Sequence, residues 1–256
     1  MSTVFAIAGR EIRGYFATPV GWVVLCIFLG LSGFFFASLV SFYNIQATEI
    51  AMSPYGGPEL NVDEYLVAPF FGNLAVVLLF MCPAITMRVF AEDRRSRSLE
   101  LLLTSPISTT EIVLGKYLGA MGFIGVMLAA TAHFPIMLYW LADPDPGVLL
   151  SSYLSVTLMS GSFVAVGVLT SAFTENQVVA LLASFGLLLL FWVISWADAA
   201  SSSSTFGEVL SYVSMLSHLD QLSKGLIHSR DLVYYATFIG LFLFGTHQRV
   251  EAYRWR

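Results

Sequence analysis

MRVFAEDRRSRSLELLLTSPISTTEIVLGKYL, residues Met87 to Leu118, places Arg88, Arg94, Arg95, Arg97 and Lys116 between two long apolar runs. The whole chain of 256 residues has only 12 Lys and Arg, with 57% hydrophobic and 11% charged residues. Soluble domains carry about 25% charge, so a surface this poor in charge suits lipid. The stretch therefore reads as a polar connection between two membrane spans. Within it Ser98 is a good N-cap, and Glu100 lies in the first turn, where the helix dipole favours a carboxylate. Leu99, Leu102 and Leu103 form a small apolar face, and Ser105-Pro106 stops the helix after about two turns. Ser108-Thr109-Thr110-Glu111 is a capping box that starts the next helix. So short a helix is not stable alone. It needs a groove on a partner or its own spans to pack on, and the residues leave both open.

Working outward, runs long enough to cross about 30 Å of hydrocarbon fall near 20–42, 66–90, 112–141, 148–172, 177–197 and 231–248. They predict an all-α membrane protein of six transmembrane helices. Residues 44–65 are polar and turn-rich, Asp143-Pro144-Asp145-Pro146 breaks helix, and Thr174 with Gln177 reads as a second capping box. Alternation over six spans puts Arg10, Arg13, Arg88, Arg94, Arg95, Arg97, Lys116, Arg249, Arg254 and Arg256 on one face, and only Lys224 and Arg230 on the other. The excess of Lys and Arg predicts that both termini are cytosolic. The first apolar run is too long for a signal peptide. Ahead of it, Val4, Phe5, Ala8, Ile12, Tyr15 and Phe16 recur at helical spacing opposite Arg10, Glu11 and Arg13, predicting an interfacial helix at 2–17. Pro19 suits the first turn of the span that follows. Segment 206–228 is amphipathic but holds Glu208, His218, Asp220 and Lys224. A full span would bury each charge at about 2.5–3.5 kcal/mol, so short helices dipping into the outer leaflet are expected there.

Several chemistries find no support. Gly115-Lys116-Tyr117 lacks the spacing and hydroxyl of a phosphate loop, and no His-Glu-x-x-His motif or Cys cluster occurs. Cys26 and Cys82 sit in apolar runs as small hydrophobes. No basic stripe with interleaved aromatics points to nucleic acid. No cofactor or metal site is expected on the chain. Ser162 and His133, each within a span, raise an intramembrane hydrolase, although small residues in spans usually serve packing. Gly115, Gly119 and Gly122 give the third span a face for close helix contact, either within the subunit or across a dimer. A secondary transporter or channel would need ionisable residues along the spans, and His133 is the main candidate. A scaffold that transmits signals without transport is the remaining alternative.

With these residues in view, the chain resembles an ABC-2 type permease and is similar to its gliding-motility-type (GldF-like) branch. The match is carried by REIRGYFATPVGWVV (10–24) with FLGLSGFFF (28–36), the block from Met87 to Ala120, LTSAFTENQVVA (169–180), and His218, Lys224-Gly225 and Arg230-Asp231-Leu232-Val233-Tyr234-Tyr235. The resemblance implies one half of an ATP-driven exporter in a bacterial inner (plasma) membrane. It makes 2–17 an elbow helix and 98–105 the coupling helix seated in a separate ABC ATPase subunit, which holds ATP and Mg. Glu92, Arg94, Arg95, Ser98, Leu99, Glu100, Leu102, Leu103, Thr104, Ser105 and Pro106 would line that contact. The turn Thr174-Glu175-Asn176-Gln177 on the same face is a second possible contact, which a plain helix start explains as well. The re-entrant helices at 206–228 would form the extracytoplasmic gate, with His218, Lys224, Gly225, Arg230 and Asp231. A second permease copy or paralogue and membrane lipid would complete the working unit. An auxiliary protein with a large extracytoplasmic domain is a further expected partner. Nothing in these residues names a substrate.

Overall fold

The computed structural model describes residues 3–53, 60–104, 106–142, 144–200 and 212–254, the side chains at 101, 103, 141 and 196–200 excepted. Among them every regular element is helical: α1 (Thr3–Ala17), α2 (Pro19–Met52), α3 (Ala68–Thr86), α4 (Ala91–Arg95), α5 (Ser98–Thr104) and α6 (Thr109–Ala130). Next come α7 (His133–Leu141), α8 (Pro146–Phe173), α9 (Gln177–Ala200), α10 (Met215–Ser223) and α11 (Ser229–Arg254). A π-helical turn, Asp63–Val67, leads into α3. Five segments are long and apolar enough to cross a membrane: Pro19–Met52, Asp63–Arg95, Thr109–Trp140, Pro146–Phe173 and Gln177–Ser195. Helix α11 is 26 residues long, but Tyr234, Tyr235, Thr246, His247 and Gln248 keep it less apolar than those five.

The corner between α1 and α2 is built by local chemistry. Pro19 starts α2, the Thr18 hydroxyl donates to the carbonyls of Gly14 and Tyr15, and the Trp22 indole N–H donates to Phe16 O. Gly21 sits against the Tyr15 carbonyl, where a Cβ would collide with it. Helix α2 then runs on to Met52, past the apolar run expected to end at residue 42. The hydroxyls of Ser41 and Thr48 bond back to Ala37 O and Asn44 O, and no breaker precedes Ser53, which adopts extended backbone before a proline. The third span bends between α6 and α7 because Pro135 has no N–H for the Thr131 carbonyl. Thr131 instead accepts from Phe134 N.

Helix α8 lies at the centre, packed against α3, α6, α9, α10 and α11. It buries Ser151, Ser152, Ser155, Ser160, Gly161, Ser162, Gly167 and Ser171. Small residues let helix backbones approach closely where lipid supplies no hydrophobic drive. Gly167 is the closest approach, with the Thr86 hydroxyl of α3 in the space a Cβ would fill. Ser162 Oγ donates to Leu158 O within its own helix, and His133 Nδ1 lies 2.6 Å from Ala130 O on the exposed side of α7. The two are thus each engaged with their own backbone. Segment 201–211, including Glu208, lies outside the described residues.

Candidate functional site

Among the described residues the helix pair α1 and α6 makes the most extensive contact, and glycines explain it. A Cβ on Gly115 would stand 2.7 Å from Ile7 Cβ, on Gly119 2.5 Å from Glu11 Cβ, and on Gly122 2.5 Å from Ile12 Cδ1. The small face of the third span is therefore filled within the chain, by the N-terminal helix. The same face brings Lys116 against Glu11. Lys116 is 1% exposed, and its Nζ lies 3.0 Å from Glu11 Oε1 and 2.7 Å from Asp93 Oδ2. It also donates to Val89 O and sits over the Phe90 ring. Asp93 in turn accepts from Ser98 Oγ at 2.9 Å. Four elements are thereby linked in series: α5 through Ser98, α4 through Asp93, α6 through Lys116 and α1 through Glu11.

Tyr15 extends this assembly. Its hydroxyl donates to Ile85 O, its ring stacks on Phe123, and the Arg88 guanidinium covers its other side. Burial, reinforced by the nearby Glu11 charge, pushes the phenol well up from its usual range, so it remains a donor. On the other flank, Arg94 donates to Ala172 O at 3.0 Å, pairs with Glu175 at 3.2 Å and lies over Tyr253. Ser171 Oγ accepts from the amides of Phe90 and Ala91 and donates to Met87 O, each at 3.0 Å. Thr109 donates to Glu251 near the end of α11. The beginnings of α6 and α9, the ends of α8 and α11, and helices α1, α4 and α5 thus meet at one basic end.

Helix α5 sits on this platform with Leu99 buried and Leu102 half-buried against the chain's own core. Glu92, Arg95, Glu100, Thr104 and Pro106 are exposed. Ser98 spends its hydroxyl on Asp93, and Arg97 before it holds a left-handed backbone, φ 58°. Ser105 lies outside the described residues, as does the Leu103 side chain. The capping box at Ser108 is complete: Glu111 N donates to Ser108 Oγ, and Ser108 N to Glu111 Oε2. The turn at 174–177 is capped differently from its expected box. Helix α9 begins at Gln177, so Asn176 is its cap and accepts from Val178 N at 3.0 Å, while Thr174 Oγ1 accepts from Asn176 N. Glu175 is left free to meet Arg94.

At the opposite, acidic end, α10 packs on α8, α9 and α3 and reaches α11 through side chains. Ser214 caps it, and Gly225 ends it with φ +83°, Leu226 N reaching back to Gln221 O. Its carbonyls at Leu219 and Ser223 accept from Ser155 and Ser152 of α8. His218 Nδ1 lies 2.6 Å from Asp231 Oδ1, and its ring stacks on Tyr234 at 4.2 Å. Arg230 covers the Tyr212 ring, and Lys224 pairs with Asp220 at 2.7 Å on the surface, which pushes the ammonium up from its usual range. A cavity of about 790 Å³ opens beside α10, lined by Asp63, Glu64, Asp145, Asp220, Ser223 and Lys224 among others.

Helices joined at two polar ends by buried small-residue contacts, with five segments able to cross lipid, define a multi-pass membrane protein. The model of the ABC-2 family transporter proteins matches residues 5–245, and the chain belongs to that family. It is a permease component of an ABC transporter, of a kind that normally works with an ABC ATPase subunit and is generally not itself catalytic. Comparison with curated proteins gives no match. Among the described residues no group of three or more His, Cys, Asp and Glu side chains could hold a metal ion. Lys116, Ser171 and Tyr15 were not singled out as site residues by sequence reasoning. For Lys116 the available signal was its place beside Gly115 and Gly119, on a face that had to meet another helix.

Proposed function

We propose that the chain is one half of an ATP-driven exporter of the GldF-like branch in a bacterial inner membrane, with α5 as its coupling helix. The observation that carries this reading is the series Ser98–Asp93–Lys116–Glu11. It makes α5 part of one body with α4, the third span and the N-terminal elbow, so a push on α5 moves the span instead of bending a loop. The exposed edge formed by Glu92, Arg95, Glu100 and Thr104 meets the ATPase, which holds ATP and Mg, while Leu99 anchors the helix to the permease. Arg94 and Glu175 brace the second turn, Thr174 to Gln177, against the same platform.

Helix α11 serves as the sixth span. Its 26 residues at 1.5 Å each reach about 39 Å, enough for the hydrocarbon core, and its two ends bond to opposite ends of the bundle. Six crossings put the basic end and both termini in the cytosol, in keeping with the excess of Lys and Arg there. Helix α10, held by His218 and Asp231 and flanked by Lys224, Gly225 and Arg230, then acts as the extracytoplasmic gate beside the acidic cavity. A second permease copy or paralogue completes the translocation path, and an auxiliary protein with an extracytoplasmic domain joins it on that side.

The test is charge reversal on the exposed edge, Glu92→Arg with Glu100→Arg, in the permease co-expressed with its ATPase. Reversing two charges on a contact edge destroys whatever charge complementarity it has, so co-purification should fall by about tenfold or more and permease-stimulated ATP hydrolysis should be lost. The thermal midpoint of the permease itself should hold. Unchanged co-purification and hydrolysis would overturn the assignment of α5.

A further inference from the structure

We infer that His218 and Asp231 form a buried proton-binding site that latches α10 to α11. The inference follows from counting donors. His218 Nε2 lies 3.1 Å from the Tyr212 carbonyl and Nδ1 lies 2.6 Å from Asp231 Oδ1. Both partners are acceptors, and neutral imidazole carries only one N–H. The observed geometry therefore needs two protons in the pair: one on Nε2 for Tyr212, and one between Nδ1 and Oδ1. The residues are almost fully buried, with side chains 3% and 1% exposed, and Asp231 Oδ2 has no hydrogen-bond partner. Asp231 stands in the first turn of α11, where the helix dipole favours a carboxylate, but burial with one oxygen unpartnered remains costly.

Loss of one proton cannot be absorbed by a tautomer. With the remaining proton on Nε2, the Nδ1 lone pair faces a carboxylate oxygen. With it on Nδ1, the Nε2 lone pair faces the Tyr212 carbonyl. Each arrangement forfeits one hydrogen bond and sets two lone pairs against each other. The proton leaves to solvent on the acidic side, and α10 keeps only the neutral Tyr235–Met215 O bond to α11.

Among the described residues the surroundings supply no substitute. Helix α8 faces α10 with the hydroxyls of Ser152 and Ser155, both engaged with its carbonyls. The residues of α3, and those of α9 to Ser195, include no Asp, Glu, His, Lys or Arg. On α10 itself Asp220 and Lys224 pair with each other at the surface, and Arg230 of α11 lies over Tyr212. Tyr234 and Tyr235 donate to Val213 O and Met215 O. The proton between His218 and Asp231 is then the switchable contact of the latch.

That α10 is a gate rests on the function proposed above, but the proton site does not, and its test needs no ATPase. Hydrogen–deuterium exchange is measured on the full chain in nanodiscs at about pH 6 and about pH 9 and corrected for intrinsic exchange. Protection over 215–223 in the wild type should fall by about tenfold or more at the higher pH, the scale of one lost charge-assisted hydrogen bond. Asp231→Asn should respond far less, because its amide N–H donates to Nδ1 while Nε2–H stays on Tyr212. Wild-type protection that is the same at both pH values would overturn the inference, whatever the variant does. So would an Asp231→Asn response equal to that of the wild type.

Discussion

The two ends of the bundle are fastened in different ways. At the basic end, Lys116 and Arg94 each tie several elements together, and Ser171 adds three backbone bonds. At the acidic end, α10 and the turn before it hang on two serine–carbonyl bonds, two tyrosine–carbonyl bonds and the His218–Asp231 pair, beside an open cavity. The first pattern suits a part that transmits force without deforming. The second suits a part that lets go, since local opening is drawn from regions held by few contacts.

The largest expected effect concerns which end faces which side. With Cys26 replaced by Ser, Glu100→Cys should react with an impermeant maleimide only in inside-out vesicles, and Asp220→Cys only in right-side-out ones. Labelling of both from one side would break the contrast between a cytosolic and an outer end. Next in size is Lys116→Met, which strands Glu11 and Asp93 against each other. Removing one partner of a buried pair costs about 3–5 kcal/mol, and with the two carboxylates about one-fifth exposed we expect the lower figure. Reversible unfolding in mixed micelles reads it. Ser171→Ala should cost about 2 kcal/mol, because the amides of Phe90 and Ala91 lose a buried acceptor. An effect below half of that would mean the loop after α3 relaxes freely. The smallest change is a gain: Arg97→Gly relieves a left-handed residue worth about 1 kcal/mol, partly offset by a freer unfolded chain. A loss in this variant would show that the Arg97 side chain carries a contact of its own.

Local chemistry was legible in the sequence, and long-range pairing was not. The capping box at Ser108 depends on residues three apart, and it is present. The close-contact face of Gly115, Gly119 and Gly122 was visible as spacing, yet its partner, α1, lies far away along the chain and no periodicity names it. Lys116 illustrates the same limit. Counted by side it is one more basic residue, and only the docking of Glu11 and Asp93 around it makes it a hub. His218 and Asp231 were both singled out, but their contact depends on how α10 folds back on α11. The Thr174 box failed because an Asn two residues later reaches the α9 amides by itself. The extent of α2 was missed because hydropathy ends the span where polarity begins, whereas the helix ends only where Ser53 meets a proline.

The central claim is that α5, on its pinned platform, is where the ATPase engages. A photo-crosslinking residue in place of Glu100 tests it most directly in the assembled complex. The account predicts a crosslink to the ATPase subunit whose yield changes when ATP is bound, and none from the same residue placed at Asp220. A crosslink that forms only within the permease, or equally from both positions, would contradict it.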